Sequence, residues 1–133
     1  MKLRESLRAF AAVGLTLGAI AAGAGSASAA AKDGWLNKGE LGLFCYEDRV
    51  NSVLDLYDYD EDFSNDYFKG SQSCAGHSTN DWTESFSNND SYSWDVYTDW
   101  RGYGYKRWID VAEFGNFDAT HRNKSSSAFP RVV

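Results

Sequence analysis

Residues 97–108 read Tyr97-Thr98-Asp99-Trp100-Arg101-Gly102-Tyr103-Gly104-Tyr105-Lys106-Arg107-Trp108. Just upstream, Ser93-Trp94-Asp95-Val96 alternates polar and apolar side chains, the period-2 signature of a half-buried strand. Gly102 and Gly104 flank Tyr103, and glycine reaches positive φ without a Cβ clash. Aromatic residues resume at Tyr105 and Trp108. The stretch predicts strand, glycine-bearing reversal and strand: a β-hairpin with aromatics on both arms. A weaker copy lies 51 residues earlier, from Tyr46 to Tyr57 (Tyr-Glu-Asp-Arg-Val-Asn-Ser-Val-Leu-Asp-Leu-Tyr). It aligns without a gap on the opening aromatic, on Asp48 with Asp99 and on Tyr57 with Trp108. That register puts Val53 where a glycine is expected. The chain reads as a duplicated β-motif.

Residues 1–29 read as a leader outside the fold. Lys2, Arg4 and Arg8 precede an apolar, small-residue run from Phe10 to Gly25, and Ala27-Ser28-Ala29 is a small-x-small cleavage pattern. The run is rich in Ala and Gly and lacks a basic stop after it, so a secretory signal fits better than a membrane anchor. The expectation is a secreted, extracellular protein with one domain over residues 30–133.

The chain carries 13 Lys and Arg against 19 Asp and Glu, a net charge of −6. The leader holds +2 of that (Lys2, Arg4, Arg8, Glu5), which leaves −8 on the remainder. Such a surface argues against nucleic acid and anionic membranes, which require Lys/Arg clusters. Of the 21 aromatic residues only Phe10 lies in the leader. With few Leu, Ile or Met available, aromatic rings must fill much of the core, and they suit pleated sheets. No segment after the leader sustains an apolar i, i+3, i+4 pattern for three turns. The fold class expected is all-β.

Cys45 and Cys74 are the two cysteines. In a secreted chain such a pair is most simply a disulfide. Around it the order is legible. Ala30 to Glu40 is a polar lead-in, with Trp35 expected to dock on the sheet. Leu41 to Tyr46 is a short apolar strand with Val50 to Tyr57 as its partner. Asp55 to Asp66 holds six acids and no base. Its Asp58-x-Asp60-x-Asp62 spacing is not an EF-hand, because Phe63 takes the glycine position and Lys69 that of the bidentate glutamate. Lys69 to Thr79 is Gly/Ser-rich and reads as a loop pinned by the disulfide. Asn80-Asp81-Trp82-Thr83-Glu84-Ser85 then finds its counterpart in Arg122-Asn123-Lys124-Ser125-Ser126-Ser127. Tyr46 to Asn80 spans 34 positions and Tyr97 to Arg122 spans 25, so the first copy carries about nine extra residues. Motif 1 covers about 40–88 and motif 2 about 90–130.

A Tyr-x-Asp hairpin opening, an aromatic and glycine reversal, then an Asn/Asp-Asn/Asp-x-x-Ser/Thr-Ser segment, all occurring twice, resembles the βγ-crystallin domain. With Leu43-Phe44-Cys45-Tyr46-Glu47-Asp48 early and Asn123-Lys124-Ser125-Ser126-Ser127 late, residues 40–130 are similar to the bacterial peptidase inhibitor family I36, of actinobacterial metalloproteinase-inhibitor type. The resemblance implies two Greek-key motifs in one sandwich. It implies secreted inhibition of an extracellular protease or, as the alternative, a non-inhibitory module binding calcium or a surface partner, toxin-like or stress-related. It also implies calcium ligands: Asp81, the Trp82 carbonyl and Glu84 with Thr98 from across, then Asn123, the Lys124 carbonyl and Ser126 with Glu47 from across. Arg122 stands where an acid or amide belongs in the second set. No cofactor is required on this reading.

His77 and His121 each lie in a polar stretch, and no Gly-x-Ser-x-Gly, His-Glu-x-x-His or phosphate loop occurs. An enzyme is not expected. The segment expected to enter a protease cleft lies within Lys69–Thr79, centred on Ser73, Cys74, Ala75, Gly76 and His77.

Overall fold

Leu41, Leu43 and Cys45 alternate with Gly42, Phe44 and Tyr46, so one face of the first strand is apolar, and that face is buried. The structure is a computed structural model that describes residues 31–132; the expected signal peptide, residues 1–29, lies outside the described residues. Seven strands form: β1 (Leu41–Tyr46), β2 (Val50–Leu56), β3 (Ser85–Asn88), β4 (Trp94–Tyr97), β5 (Lys106–Ile109), β6 (Phe114–Asn116) and β7 (Ser127–Pro130). Single 3-10 turns stand at Glu47–Arg49, Phe63–Asn65 and Trp100–Gly102. One antiparallel sheet runs β2-β1-β3-β6 and the other β5-β4-β7. The fold is all-β, two antiparallel sheets packed as a sandwich.

The motifs exchange strands. β6 belongs to the second motif but pairs with β3, as Phe114 opposite Ser87 and Asn116 opposite Ser85. Reciprocally, Asp60 of the first motif pairs with Ala128 of β7, each backbone N–H donating to the other's carbonyl at 2.9 and 2.8 Å. The core is shared accordingly: Leu41, Leu43, Leu54, Leu56, Phe63, Phe68 and Phe86 meet Trp94, Val96, Ile109, Phe117 and Ala128. Phe86 and Phe117, one from each motif, have ring centroids 5.0 Å apart. Trp94 is fully buried, and its indole N–H donates to Asp90 Oδ2 at 2.9 Å.

The outer face of the first sheet is covered by the lead-in. Leu36, rather than Trp35, does the docking: a Cβ at Gly42 would lie 2.9 Å from Leu36 Cδ2, whereas Trp35 is 75% exposed. Asp55 on β2 holds the lead-in in place, accepting from Asp33 N–H and Gly34 N–H on its two carboxylate oxygens at 3.0 and 2.8 Å.

The duplication is real, but its register differs from the aromatic alignment by two residues. Leu41 pairs with Leu56 as Trp94 pairs with Ile109, a spacing of 53 rather than 51. Tyr46 therefore corresponds to Asp99, and Gly102 and Gly104 (φ 77° and 82°) correspond to Arg49 and Asn51 (φ 59° and 75°). Val53 is not a turn residue at all; it lies within β2 opposite Phe44.

Candidate functional site

Three features of the surface carry candidate chemistry: the two Ser-ended turn segments, the disulfide loop, and the acidic stretch.

The turn segments serve first as hairpin braces. Ser85 Oγ donates to Tyr46 O at 2.7 Å and accepts from Arg49 N–H at 2.8 Å. Ser127 Oγ does the same for the second hairpin, donating to Asp99 O at 2.6 Å and accepting from Gly102 N–H at 3.0 Å. Both serines are fully buried. The segments also lock to each other: Asp81 N–H donates to Ser125 O at 3.1 Å, and Asn123 N–H to Thr83 O at 2.9 Å. Asp81 and Asn123 are both left-handed, with φ 60° and 57°, a conformation their short polar side chains tolerate.

This back-to-back arrangement regroups the expected calcium ligands. Glu84 faces Asn123 rather than Asp81: Asn123 Nδ2 donates to Glu84 Oε2 at 2.8 Å. Arg122 lies between two carboxylates, 3.0 Å from Glu47 Oε1 and 3.5 Å from Glu84 Oε1. A guanidinium thus already neutralises the acids a divalent cation would need, and this set does not fit calcium. On the other side, Ser126 Oγ donates to Asp81 Oδ1 at 3.4 Å, while Asp81, Thr98 and Lys124 line one open cavity of about 650 Å³ with Asp99 and Tyr105. The Lys124 ammonium in that cavity donates to Ala119 O at 3.2 Å. The Trp82 ring packs on His77, ring centroids 3.5 Å apart. Among the described residues, no group of three or more His, Cys, Asp or Glu is placed to hold a metal ion.

The disulfide loop is built as a small stalk with an exposed crest. Cys45 on β1 is bonded to Cys74, with Cα atoms 6.6 Å apart. At the base, Tyr67 bridges Ser78, Phe68 N–H donates to His77 O at 2.9 Å, and Gly76 N–H donates to Phe68 O at 2.8 Å. Phe68 itself is buried in the core. The crest turns twice, Ala75 N–H to Gln72 O and His77 N–H to Cys74 O, both at 3.0 Å. Ser71, Gln72, Ser73, Gly76 and His77 are exposed, whereas Cys74 is 3% exposed. The extra length of the first motif falls here. Phe63 and Phe117 are equivalent, donating to Ser126 O and Glu84 O at 2.9 Å each, so the insertion lies between Phe63 and Thr79, not in the acidic stretch.

The acidic stretch is structural. Asp60 is buried in the sheet contact, and Asp62 caps the Phe63–Asn65 turn by accepting from Ser64 N–H at 2.9 Å. Lys32 Nζ lies 3.1 Å from both Asp60 Oδ2 and Asp66 Oδ1. Burial, together with a hydrogen bond to Asp66, pushes Asp60 up to about 7, against the pull of Lys32. Burial likewise pushes Asp55 up to about 6, opposed by the Gly34 and Asp33 N–H donors.

Neither histidine is set up as a base beside a nucleophile. His121 Nε2 lies 3.1 Å from both Val96 O and Tyr105 O inside the second motif. A feature the sequence only hinted at is the second hairpin's tip, where Trp100, Tyr103 and Tyr105 are 51%, 64% and 72% exposed. Asn51, which hydrogen-bonds Ser73 and Cys74 22 and 23 residues away, had no sequence signal beyond its duplicate being a glycine.

Compared with known proteins, the chain matches no protein-family model and no curated protein. It does match a solved structure described as "Evolution of the eye lens beta-gamma-crystallin domain fold", with a TM-score of 0.59 and 15% identity, over 72% of this chain and 88% of that one. The chain therefore has a βγ-crystallin-like domain fold, two Greek keys in one sandwich.

Proposed function

We propose that this protein is a secreted, non-enzymatic inhibitor of an extracellular protease, of the I36-like kind, and that residues 69–79 form the segment that meets the enzyme. The observation that carries this reading is the disulfide loop: its crest is exposed while its base is fixed by the Cys45–Cys74 bond, the Phe68 hydrogen bonds and the Tyr67–Ser78 bridge. A loop held in one conformation before binding loses little further entropy on docking, and that saving appears as affinity. The same fixation keeps the two sides of a cut bond together, so that a protease clipping the crest would not release it. Ser73, Ala75, Gly76 and His77 are the contact residues on this reading, with Cys74 beneath them.

A second reading is favoured by the tip of the second hairpin. Trp and Tyr are the residues that most often anchor protein interfaces, and Trp100, Tyr103 and Tyr105 stand exposed together in one short stretch. On that reading the domain binds a surface partner without entering an active site.

The test is residual activity of metallo-, serine and cysteine proteases titrated with the purified secreted form. The inhibitory reading expects stoichiometric loss of activity for at least one class. It further expects that loss to vanish when Ser71–Ser73 and Ala75–His77 are replaced by glycine and serine at equal length. Full activity in every class, or undiminished inhibition by the replaced loop, would overturn it.

A further inference from the structure

Asn51 occupies a position that its duplicate fills with glycine. Gly104 has φ 82° and no room for a side chain, since a Cβ there would lie 2.3 Å from Thr98 Oγ1. Asn51 has φ 75°, and its side chain reaches across to the disulfide loop. Asn51 Oδ1 accepts from Cys74 N–H at 3.0 Å and from Ser52 N–H at 2.9 Å, and Asn51 Nδ2 donates to Ser73 Oγ at 3.0 Å. Two N–H donors on one end and a hydroxyl on the other fix which way the amide faces.

The disulfide alone does not orient the crest. It fixes Cys74 at its sulfur, and rotation about the side-chain bonds leaves the Cys74 backbone free to swivel. On the C-terminal side His77 N–H holds Cys74 O, with Gly76 and His77 tied to buried Phe68, whereas the turn bond from Ala75 to Gln72 lies within the loop and would travel with it. From the other side, Asn51 holds both Ser73 Oγ and the Cys74 N–H from a separate element. Asparagine suits the position twice over: it tolerates the left-handed backbone better than most residues, and it offers donor and acceptor on one short side chain. Aspartate would keep the acceptor and lose the donor. Glycine would keep the backbone and lose both.

We infer that Asn51 is the positioning residue of the disulfide loop, holding Ser73 and Cys74 in the orientation in which the crest meets a protease. This rests on the inhibitory reading of residues 69–79. The hairpin turn of the first motif would then have a task its twin lacks: besides reversing the chain, it sets the loop's direction.

The test compares wild type, Asn51→Gly and Asn51→Asp as full-length secreted protein, by amide exchange at Cys74, by the rate at which a non-target protease nicks residues 70–76, and by the inhibition constant. For Asn51→Gly, exchange at Cys74, nicking and the inhibition constant should each rise about tenfold, as expected for losing two neutral hydrogen bonds. Leu43, in the β1 ladder, should exchange as in wild type, which separates loop release from unfolding. Asn51→Asp should fall between the two, because Cys74 N–H keeps its acceptor. Unchanged exchange and inhibition in Asn51→Gly would overturn the role of Asn51 while leaving the inhibitory loop intact. Equal acceleration at Leu43 and Cys74 would also overturn it, reducing Asn51 to a general stability residue. Absence of inhibition by wild type would instead remove the reading on which the inference rests.

Discussion

The two motifs share a scaffold and differ in what hangs from it. Each folds a hairpin over a left-handed turn, braces it with a buried serine and sends one segment into the other's sheet. Yet twelve acids and four bases lie in residues 31–88 against six and six in residues 89–132, so the net negative charge of the described chain belongs to the first motif. The first motif also carries the insertion between Phe63 and Thr79 and the disulfide that pins it. The second carries the exposed aromatic tip. Where two copies agree, the shared residues specify the fold; where they diverge, specialised function has room to reside.

The sharpest way to break the comparison is to remove the disulfide. Cys45→Ser with Cys74→Ser should cost roughly 3.5 kcal/mol in the chain-entropy model for a loop of about 30 residues. Chemical denaturation would measure it, and amide exchange should show the extra opening concentrated in residues 67–79 while β4, β5 and β7 keep their protection. A uniform loss across both motifs would mean that the bridge supports the whole sandwich.

Next in size are the braces. Ser85→Ala and Ser127→Ala each leave a hairpin carbonyl and an N–H without their buried partner, at about 1–3 kcal/mol each. Equal penalties from thermal unfolding would support a shared scaffold; a difference above about 1 kcal/mol would show that one hairpin has come to depend on other contacts.

Much of this scaffold was legible in the sequence, because the features that repeat are chemical: a Tyr-x-Asp at each hairpin and a serine, Ser85 or Ser127, ending each turn segment. The register was not. Matching Tyr46 to Tyr97 followed ring to ring, whereas the backbone equates Tyr46 with Asp99, and Arg49 and Asn51 hold left-handed turns that their side chains do not advertise. The grouping of Glu84 with Asn123 and Arg122 was equally hidden, since it depends on two distant segments packing back to back. The disulfide loop could be found from its Gly/Ser composition and Cys74. Its brace could not, because Asn51 lies on a different element. Trp35 looked the better docking residue by size, but Gly42 leaves a space beside Val53 that Leu36 fills.

The two raised carboxyls both lie in the first motif. Asp55 and Asp60 have folded-state values near 6 and 7, above the ordinary 3.8. Raised carboxyls favour the folded state when protonated. Their contribution is therefore complete below about pH 4 and is lost as pH rises through about 6 to 7. Net stability at low pH also reflects other groups, so the readout is a difference: Asp60→Asn should flatten the fall in stability between about pH 4 and 7. An unchanged slope would mean that Asp60 is ionised in the folded protein at little cost.

The smallest effect is expected from exchanging the turn residues. Gly102→Arg should cost about 1 kcal/mol for placing a Cβ at positive φ, with Phe129 3.4 Å from the new atom. Arg49→Gly should be nearly neutral, because relief of the same strain is offset by losing the guanidinium stacked 4.4 Å from the Phe114 ring centroid. Melting temperatures would resolve the pair, and a clear gain in Arg49→Gly would show that the stacking contributes nothing.

The central claim is that the divergent loop, not the shared scaffold or the aromatic tip, is what meets a protease. Amide exchange of the protein alone and in complex with a protease identified by the titration tests this directly. New protection confined to residues 69–79, with residues 98–105 unchanged, is the predicted result; protection at Trp100, Tyr103 and Tyr105 with the disulfide loop exchanging as before would contradict it.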